Sequence, residues 1–354
     1  MPAVADSVWT ARDTTPAEIE SALRDLRGER FAEDQSFVPA RVLNLISIVD
    51  REWSGEIANR MRGVGRFHPS RTVVCAVEPR RTALDATVIV ASDTRPAPGE
   101  IALTRETVII TMGTGHLPHV DSIVDALVIT DLPTMAWSPH GHRVAIDALR
   151  ELIQIVLLDS LDDPELDEGL ARAHELATAD LKVVDLAWLR SLPWRERLAA
   201  TFDPPALRHE LRRITAVNVR HNPDSAAAAL LLVGWLASRL GWKPTKLIER
   251  RESLTGHLRA RSGEVSVTLD PVPQEVRGLA GVTLETASGA SVAFDRGPGG
   301  LKAVRRDRRG VEQHWTILGA SRGEGGILGE GIRQALNFDP TYADTLEAAM
   351  TMAP

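Results

Sequence analysis

The sequence predicts an α/β fold with two domains, each built on a mixed β-sheet packed with helices. The chain has 354 residues, which is long for a single hydrophobic core. Its first half alternates apolar strand-like runs with helical patterns, whereas its second half is richer in short strands separated by turns. An acidic, proline-containing stretch at 159–169 separates the halves, so we expect domains at 1–160 and 161–354.

The first half opens with a helix and continues with a β-α-β unit. Thr15 and Glu18 have the spacing of a capping box, and Pro16 occupies the first helical position. Strand-like runs at 42–49 and 72–77 flank a helical pattern, which predicts a parallel pair with a crossover helix. The other predicted elements of this half are helices at 52–61, 119–126 and 143–150, and strands at 84–91, 100–111, 127–137 (interrupted at Pro133) and 153–158.

The second half predicts helices, two of them bearing tryptophans, and a mostly antiparallel sheet. The run 226–240 is apolar on every side, yet it is shorter than the roughly 20 residues that span a bilayer, so we predict a buried helix. Asn222 is its expected cap, Pro223 its first residue and Gly241 its end. The other predicted elements are strands at 211–219, 264–269, 282–286, 291–295, 302–306 and 311–318, and helices from 163, at 327–336 and at 342–350.

The composition argues against several classes of protein. The formal net charge is −7, so no overall positive field attracts nucleic acid. Cys75 is the only cysteine, which excludes a disulfide within the chain, and its apolar neighbours predict a small buried hydrophobe. The amino-terminal stretch lacks the apolar core of a signal peptide, so we expect a cytoplasmic protein without a membrane segment.

No catalytic constellation stands out, and we predict no catalytic residue, cofactor or metal. A G-T-G-H-L-P run has two glycines of a dinucleotide-binding loop, but Pro118 replaces the third. The pairs His116/His119 and His140/His142 have neither a carboxylate nor a third histidine nearby in sequence, as a catalytic zinc site requires. A further metal ligand from a distant part of the sequence would still complete such a site.

Two loops are candidates for binding an anion. His68, Ser70 and Arg71 lead into a predicted strand. Arg220 and Asn222 stand at the positive amino-terminal end of the buried helix, where backbone N–H groups are free. Either loop would suit a phosphate or sugar phosphate. The competing interpretation is a structural turn.

The most informative segment is D-L-A-W-L-R-S-L-P-W-R-E-R-L-A-A-T-F-D, residues 185–203, which we call the tryptophan–arginine segment. Its proline predicts two helices meeting near residue 191. Trp188, Trp194, Arg190, Arg195 and Arg197 are the residue types favoured at protein–protein interfaces. An ordinary helix pair, with a core stripe from Trp194 and a solvated outer face, explains the same composition.

Four segments in order and spacing resemble the glucose-6-phosphate dehydrogenase assembly proteins of the OpcA type. They are R-F-H-P-S-R-T-V-V, D-L-P-T-M-A-W-S-P, the tryptophan–arginine segment and L-L-L-V-G-W-L-A-S-R-L-G-W. The resemblance runs from about Arg41 to Trp242, and its specificity comes from the four segments together.

The resemblance implies a non-catalytic factor that activates glucose-6-phosphate dehydrogenase. We take the five tryptophan–arginine residues as candidate contacts with the dehydrogenase, and the loop from His68 to Arg71 as a second candidate. It supplies no catalytic residue to carry over. Redox-responsive members use cysteines, whereas the single Cys75 allows no such switch within this chain. The alternative is an enzyme or sensor that binds sugar phosphates of the same pathway. The oligomeric state is not predicted.

Overall fold

The computed structural model describes residues 6–33, 41–65, 69–92, 104–163, 165–318, 324–334, 337 and 339–354. Two compact units make up the chain. Unit 1 takes Met1–Leu158, Asp180–Val184 and Ile332–Leu336, and unit 2 takes Asp159–Ala179, Asp185–Gly331 and Asn337–Pro354. The chain therefore passes between the units more than once.

Unit 1 is built on an eight-stranded mixed sheet, as predicted. Its strands are β1 Ser7–Ala11, β2 Leu43–Asp50, β3 Ser70–Val77, β4 Asp85–Ser92, β5 Thr104–Met112, β6 Thr134–Trp137, β7 Ile155–Leu158 and β8 Lys182–Asp185. The strand order is β1-β4-β5-β3-β2-β6-β7-β8. The pairs formed by β5, β3, β2, β6 and β7 are parallel, whereas β1 and β4 are antiparallel to their neighbours.

The central strands β2, L-N-L-I-S-I-V-D, and β3, S-R-T-V-V-C-A-V, form because most of their residues are apolar. β3 is buried along its whole length and β2 along all but its last residue, which is the pattern of parallel strands covered on both faces. Cys75 lies within β3 and is fully buried, and this burial raises the pKa of its thiol to about 12. The thiol is therefore an inert packing group, as its sequence neighbours predict.

Eleven α-helices are present among the described residues. They are α1 Pro16–Glu33, α2 Ser54–Gly65, α3 Val120–Val124, α4 Arg143–Ala148, α5 Leu166–Thr178, α6 Leu186–Arg190, α7 Leu192–Phe202, α8 Pro205–Arg208, α9 Ala226–Leu240, α10 Glu324–Gln334 and α11 Tyr342–Met352. The capping box of α1 is confirmed: the Thr15 N–H donates to Glu18 Oε2 (3.0 Å), and the Glu18 N–H donates to Thr15 Oγ1 (3.3 Å). Gly241 ends α9 in the left-handed region, also as predicted.

The prediction of a strand over 127–137 is wrong for its first part, since only β6 is extended there. A buried asparagine supplies the physical reason. Asn44 Nδ2 donates to the carbonyl oxygens of Ile129 (2.9 Å) and Leu132 (3.3 Å), and Asn44 Oδ1 accepts from the Ile129 N–H (3.0 Å). These bonds hold the residues before β6 in a turn, where backbone groups pair with a side chain instead of a strand.

Unit 2 contains the second mixed sheet. Its strands are β9 Ile214–His221, β10 Ile248–Arg250, β11 Ser253–Ala260, β12 Gly263–Pro271, β13 Leu279–Thr286, β14 Ser291–Gly297, β15 Gly300–Arg306 and β16 Glu312–Leu318. Their order is β10-β11-β12-β9-β13-β14-β15-β16, and β9 with β12 is the one parallel pair. The sheet is thus mostly antiparallel, with buried and less buried residues alternating along β9 and β12.

The buried helix of unit 2 is α9. Its ten buried residues lie on every side, because α11 and strands β9 and β12 surround it. Gly234 allows the close approach of α11, since a Cβ there would lie 2.5 Å from the carbonyl oxygen of Thr345. No helix among the described residues is long and apolar enough to cross a membrane.

Candidate functional site

The tryptophan–arginine segment folds as two short helices in unit 2. Asp185 caps α6 by accepting a hydrogen bond from the Ala187 N–H at Oδ1 (2.9 Å). Ser191 separates α6 from α7, and Pro193 lies in the first turn of α7, where its missing N–H costs nothing. The predicted meeting of two helices near residue 191 is confirmed.

Four of the five candidate contact residues are buried in this unit. Trp188, Arg190, Trp194 and Arg195 have exposures between 1% and 7%, whereas Arg197 is exposed. The expectation that the segment's arginines lie on a solvated face is therefore wrong for Arg190 and Arg195. Both guanidinium groups are buried because acidic and aromatic partners surround them.

Arg190 is held by a buried ion pair. Its Nη1 lies 2.7 Å from Asp159 Oδ2, and both side chains are almost fully buried. Arg277 extends the cluster: its Nη1 lies 3.7 Å from the same Asp159 oxygen and 2.7 Å from Asp162 Oδ1. Two arginines and two carboxylates balance in charge, as the burial of ionised groups requires.

Arg195 stacks on Trp188. The guanidinium carbon lies 3.3 Å from the centre of the indole ring, which is a cation–π contact, and Nε donates to Ser191 Oγ (3.0 Å). Burial lowers the pKa of Arg195 to about 10, opposed by the charge of Asp339. The Trp188 indole N–H donates to Asp339 Oδ2 (2.9 Å), so one carboxylate supports both stacked groups.

Asp185 is the most perturbed carboxyl group of the segment. Burial, followed by the nearby charge of Asp159, raises its pKa to about 6, against hydrogen bonds from Ser160 and Tyr342. The Tyr342 hydroxyl donates to Asp185 Oδ2 (2.9 Å), and burial raises the pKa of this phenol. Such perturbed groups also mark catalytic sites, but buried structural networks produce the same shifts. Here the hydrogen bonds of Asp185 to Ser160, Ala187 and Tyr342 join it to other parts of unit 2.

Sequence reasoning missed the acidic and phenolic partners of this network. Asp159, Asp339 and Tyr342 are 31, 151 and 157 residues from their partners Arg190, Trp188 and Asp185. Only Asp185 carried a local signal, since an aspartate directly before an apolar helical run is a typical cap.

The first anion-binding candidate is already neutralised in part. Arg71 Nε lies 2.8 Å from Glu106 Oε2, and its Nη1 donates to the Leu127 carbonyl oxygen (2.8 Å). Ser70 is buried, with its hydroxyl 3.4 Å from Thr72 Oγ1. His68 lies outside the described residues. The structure thus brings Ser70 and Arg71 into the sheet of unit 1 and pairs the cation internally.

The second candidate is also satisfied by protein groups. Arg220 Nη2 lies 2.7 Å from Asp295 Oδ1. Asn222 accepts from the Asp224 N–H at Oδ1 (2.9 Å) and donates to the Gln274 carbonyl oxygen (2.8 Å). It caps a 3-10 turn, Pro223–Ser225, that precedes α9, so its predicted capping role is displaced by one turn.

The histidine pairs show no metal-holding arrangement. The His140/His142 pair lies near the carboxyl end of β2, and in open α/β sheets ligands bind beyond the carboxyl ends of strands where the strand order reverses. At the end of β2, His142 Nε2 lies 2.9 Å from Asp50 Oδ1, and the Asp50 N–H donates to His140 Nδ1 (2.9 Å). Within the described part of the chain, no group of three or more His, Cys, Asp or Glu residues is placed to hold a metal ion.

These features define an α/β protein of two units with mixed sheets and a buried polar network around a tryptophan–arginine helix pair. Two family models match the chain in succession. The glucose-6-phosphate dehydrogenase subunit N-terminal domain matches residues 62–175, and the corresponding C-terminal domain matches residues 181–346. The chain belongs to the OpcA family.

Curated relatives carry the same family name. The chain is 34% identical over 131 residues to OpcA of Nostoc punctiforme and 30% identical over 134 residues to OpcA of Synechococcus elongatus, both named for the OxPP cycle. Each alignment covers 36% of this chain, and they cover 28% and 30% of the two relatives. The chain thus matches less than a third of each relative's length.

Among solved structures, the transcriptional regulator Gal80p from Kluyveromyces lactis is 9% identical to this chain, with a TM-score of 0.48. The superposition covers 88% of this chain and 86% of Gal80p.

Proposed function

We propose that this protein is a non-catalytic assembly factor that activates glucose-6-phosphate dehydrogenase at the entry to the oxidative pentose phosphate pathway. The observation that carries the proposal is the succession of two family models, both described as domains of a glucose-6-phosphate dehydrogenase subunit. The partner in this proposal is the dehydrogenase itself, in the cytoplasm. The division into domains at 1–160 and 161–354 stays part of the same proposal.

The proposed mechanism is allosteric. An activator shifts a population only when it binds the active conformation or active oligomer more tightly than the inactive one. A tenfold preference corresponds to about 1.4 kcal/mol of coupling free energy. Contacts made by a few aromatic or arginine side chains supply energies of this size.

We place the contact at the exposed face of α7. Trp188, Arg190, Trp194 and Arg195 would then act by holding α7 rigid, while Arg197 meets the dehydrogenase directly. Their burial supports this division of roles, because residues already packed within unit 2 can preorganise a surface without touching the partner.

The test measures dehydrogenase turnover and sedimentation coefficient with and without the purified protein. We expect faster turnover and a changed oligomer distribution with the wild type, and a loss of both effects with R197E. R239E is the matched control, since Arg239 is an exposed arginine on another helix of the same unit. Loss of activation by R239E as well would move the contact away from α7.

A separate measurement addresses the function itself. The protein alone is incubated with glucose 6-phosphate or with its lactone, and turnover is recorded. Turnover by the isolated protein, together with an unchanged dehydrogenase, contradicts the assembly-factor proposal and favours the sugar-phosphate alternative.

A further inference from the structure

A hollow of about 390 Å³ opens in unit 2 at the carboxyl end of α7. Its walls come from α7, α8, the turn after α8, the end of β13, the start of β14, the end of β15 and the loop that follows β15. Its volume falls in the range of small-ligand sites, which is roughly 300 to 1,000 Å³. We call this hollow the arginine pocket.

One wall of the arginine pocket is apolar. Phe202 ends α7, Ala206 and Leu207 come from α8, Ala290 comes from the turn before β14, and Val292 comes from the start of β14. These side chains offer carbon surface without charged atoms. A flat ring with two apolar faces gains free energy by leaving water for such a wall.

The lining also carries four arginines within the run R-R-D-R-R, residues 305–309, of which Arg305 is the cross-strand partner of Val292. Arg306 is bound by Glu312, with Nε and Nη2 at 3.0 and 2.8 Å from Oε1. Arg305 Nη2 donates to Gln313 Oε1 (2.6 Å). Arg308 and Arg309 are exposed, and no acidic side chain of the described residues forms a salt bridge with either.

The acidic groups of the lining are occupied. Asp307 Oδ1 accepts the backbone N–H groups of Arg309 (2.8 Å) and Val311 (2.9 Å), and these bonds lower the pKa of its carboxyl. The carboxylate of Glu210 accepts from Ser288 Oγ (3.0 Å) and lies 3.0 Å from His209 Nε2. Both carboxylates keep their charge, and the lining, with four arginines against two carboxylates, stays positive in balance.

The loop is also preorganised. The Gly310 N–H donates to the Asp307 carbonyl oxygen (2.9 Å), and Gly310 has a φ of 81°, which favours glycine. Together with the two bonds to Asp307, this turn fixes the backbone that bears Arg308 and Arg309. Binding then costs little ordering of the loop.

We propose that the arginine pocket binds a nucleoside diphosphate, with its base against the apolar wall and its phosphates at Arg308 and Arg309. One guanidinium group can donate two parallel hydrogen bonds to the oxygens of a phosphate. The formal net charge of the chain is −7, so the arginines of this pocket form a local site for anions on an acidic protein. A hollow lined by several elements suits a small ligand better than an extended peptide, which binds in a groove or along a strand edge. Nucleotide binding at the arginine pocket does not require the dehydrogenase as a partner.

The test is calorimetric titration of the full-length protein with adenosine 5′-diphosphate, adenosine and inorganic pyrophosphate. We expect the diphosphate nucleotide to bind at least roughly tenfold more tightly than either part alone. R308E/R309E is expected to weaken its binding by tenfold or more, because repulsion replaces attraction. A206F fills the pocket from an exposed helical position and is expected to weaken binding similarly.

R250E/R251E is the matched control, since it reverses two exposed arginines next to another hairpin turn of the same sheet. Its affinity should stay within about twofold of the wild type. Thermal unfolding checks that each variant folds. If A206F does not fold, the binding measured for R308E/R309E tests the proposal by itself. The proposal is overturned by no binding at about 1 mM nucleotide. Pyrophosphate binding as tight as the nucleotide, or an equal loss in the control, also overturns it.

Discussion

The buried arginines of the tryptophan–arginine segment are stabilised by neighbouring groups that compensate their charge. Arg190 lies in α6 and Arg195 lies in α7. Both are buried, but Arg190 is stabilised by the carboxylate of Asp159 and Arg195 by the ring of Trp188. Removing one member of a buried pair leaves the other charge without compensation. Exposed arginines carry no such penalty, so burial decides the consequence of substitution.

We expect R190M to lower the free energy of unfolding by about 3–5 kcal/mol, because the Asp159 carboxylate stays buried while its nearest cation is lost. R197M, the same change at an exposed site of the same segment, should stay within about 0.5 kcal/mol of the wild type. Urea unfolding followed by tryptophan fluorescence measures both. Equal effects would mean that the Arg190–Asp159 pair is not the source of stability.

Asp185 makes stability depend on pH in a defined direction. Its pKa in the folded protein is about 6, above the ordinary aspartate value of 3.8, so protonation favours the folded state. Its contribution to the free energy of unfolding is full below about pH 4 and is lost as the pH rises through 6. At about 1.4 kcal/mol per pKa unit, the loss is about 3 kcal/mol.

The measurement compares urea unfolding of the wild type and D185N from pH 4 to pH 7. We expect the wild type to lose stability relative to D185N over this interval, because the asparagine does not titrate. The amide also fits the four donors around Asp185 less well, but that penalty is a constant offset. Parallel stability curves for the two proteins would exclude Asp185 as the titrating group.

Elements defined by local patterns were predictable, and elements defined by distant partners were not. The capping box of α1, the mostly apolar β2 and the apolar run of α9 carry their own signals. The short strands β1, β8 and β10 do not, because a neighbouring strand decides whether so few residues extend. The stripe of Trp194 in α7 predicted a packed face, but the burial of Arg195 depends on Asp339, which is 144 residues further along the chain.

Packing between α9 and α11 gives a prediction at the scale of elements. We expect G234A to destabilise unit 2 by 1–3 kcal/mol or more, because the added Cβ would lie 2.5 Å from the backbone oxygen of Thr345. G28A adds the same methyl group to α1, where nothing lies within 4 Å, and should stabilise the protein by up to about 1 kcal/mol. Thermal unfolding of both variants measures the difference. Stabilisation by G234A would mean that the two helices move apart at little cost.

The two units are interleaved along the whole molecule. Unit 1 takes its eighth strand from residues that follow the first segment of unit 2, and it takes Ile332–Leu336 from near the carboxyl terminus. The predicted boundary at 160/161 lies close to the first passage between units, at 158/159. The acidic residues there predict this first passage into unit 2. Nothing in the local sequence predicts that the chain later returns to unit 1.

This interleaving predicts how the protein responds to division. A fragment of residues 1–160 lacks β8, which leaves the apolar strand β7 as an open sheet edge, and such edges pair with other chains. We therefore expect the fragment to aggregate when it is expressed alone. Co-expression with residues 161–354 restores β8 and Ile332–Leu336 to unit 1, so the two pieces should co-purify as one soluble species by size-exclusion chromatography. If residues 1–160 alone form a monodisperse species with cooperative thermal unfolding, the later segments are dispensable and the boundary at 160/161 delimits an autonomous domain.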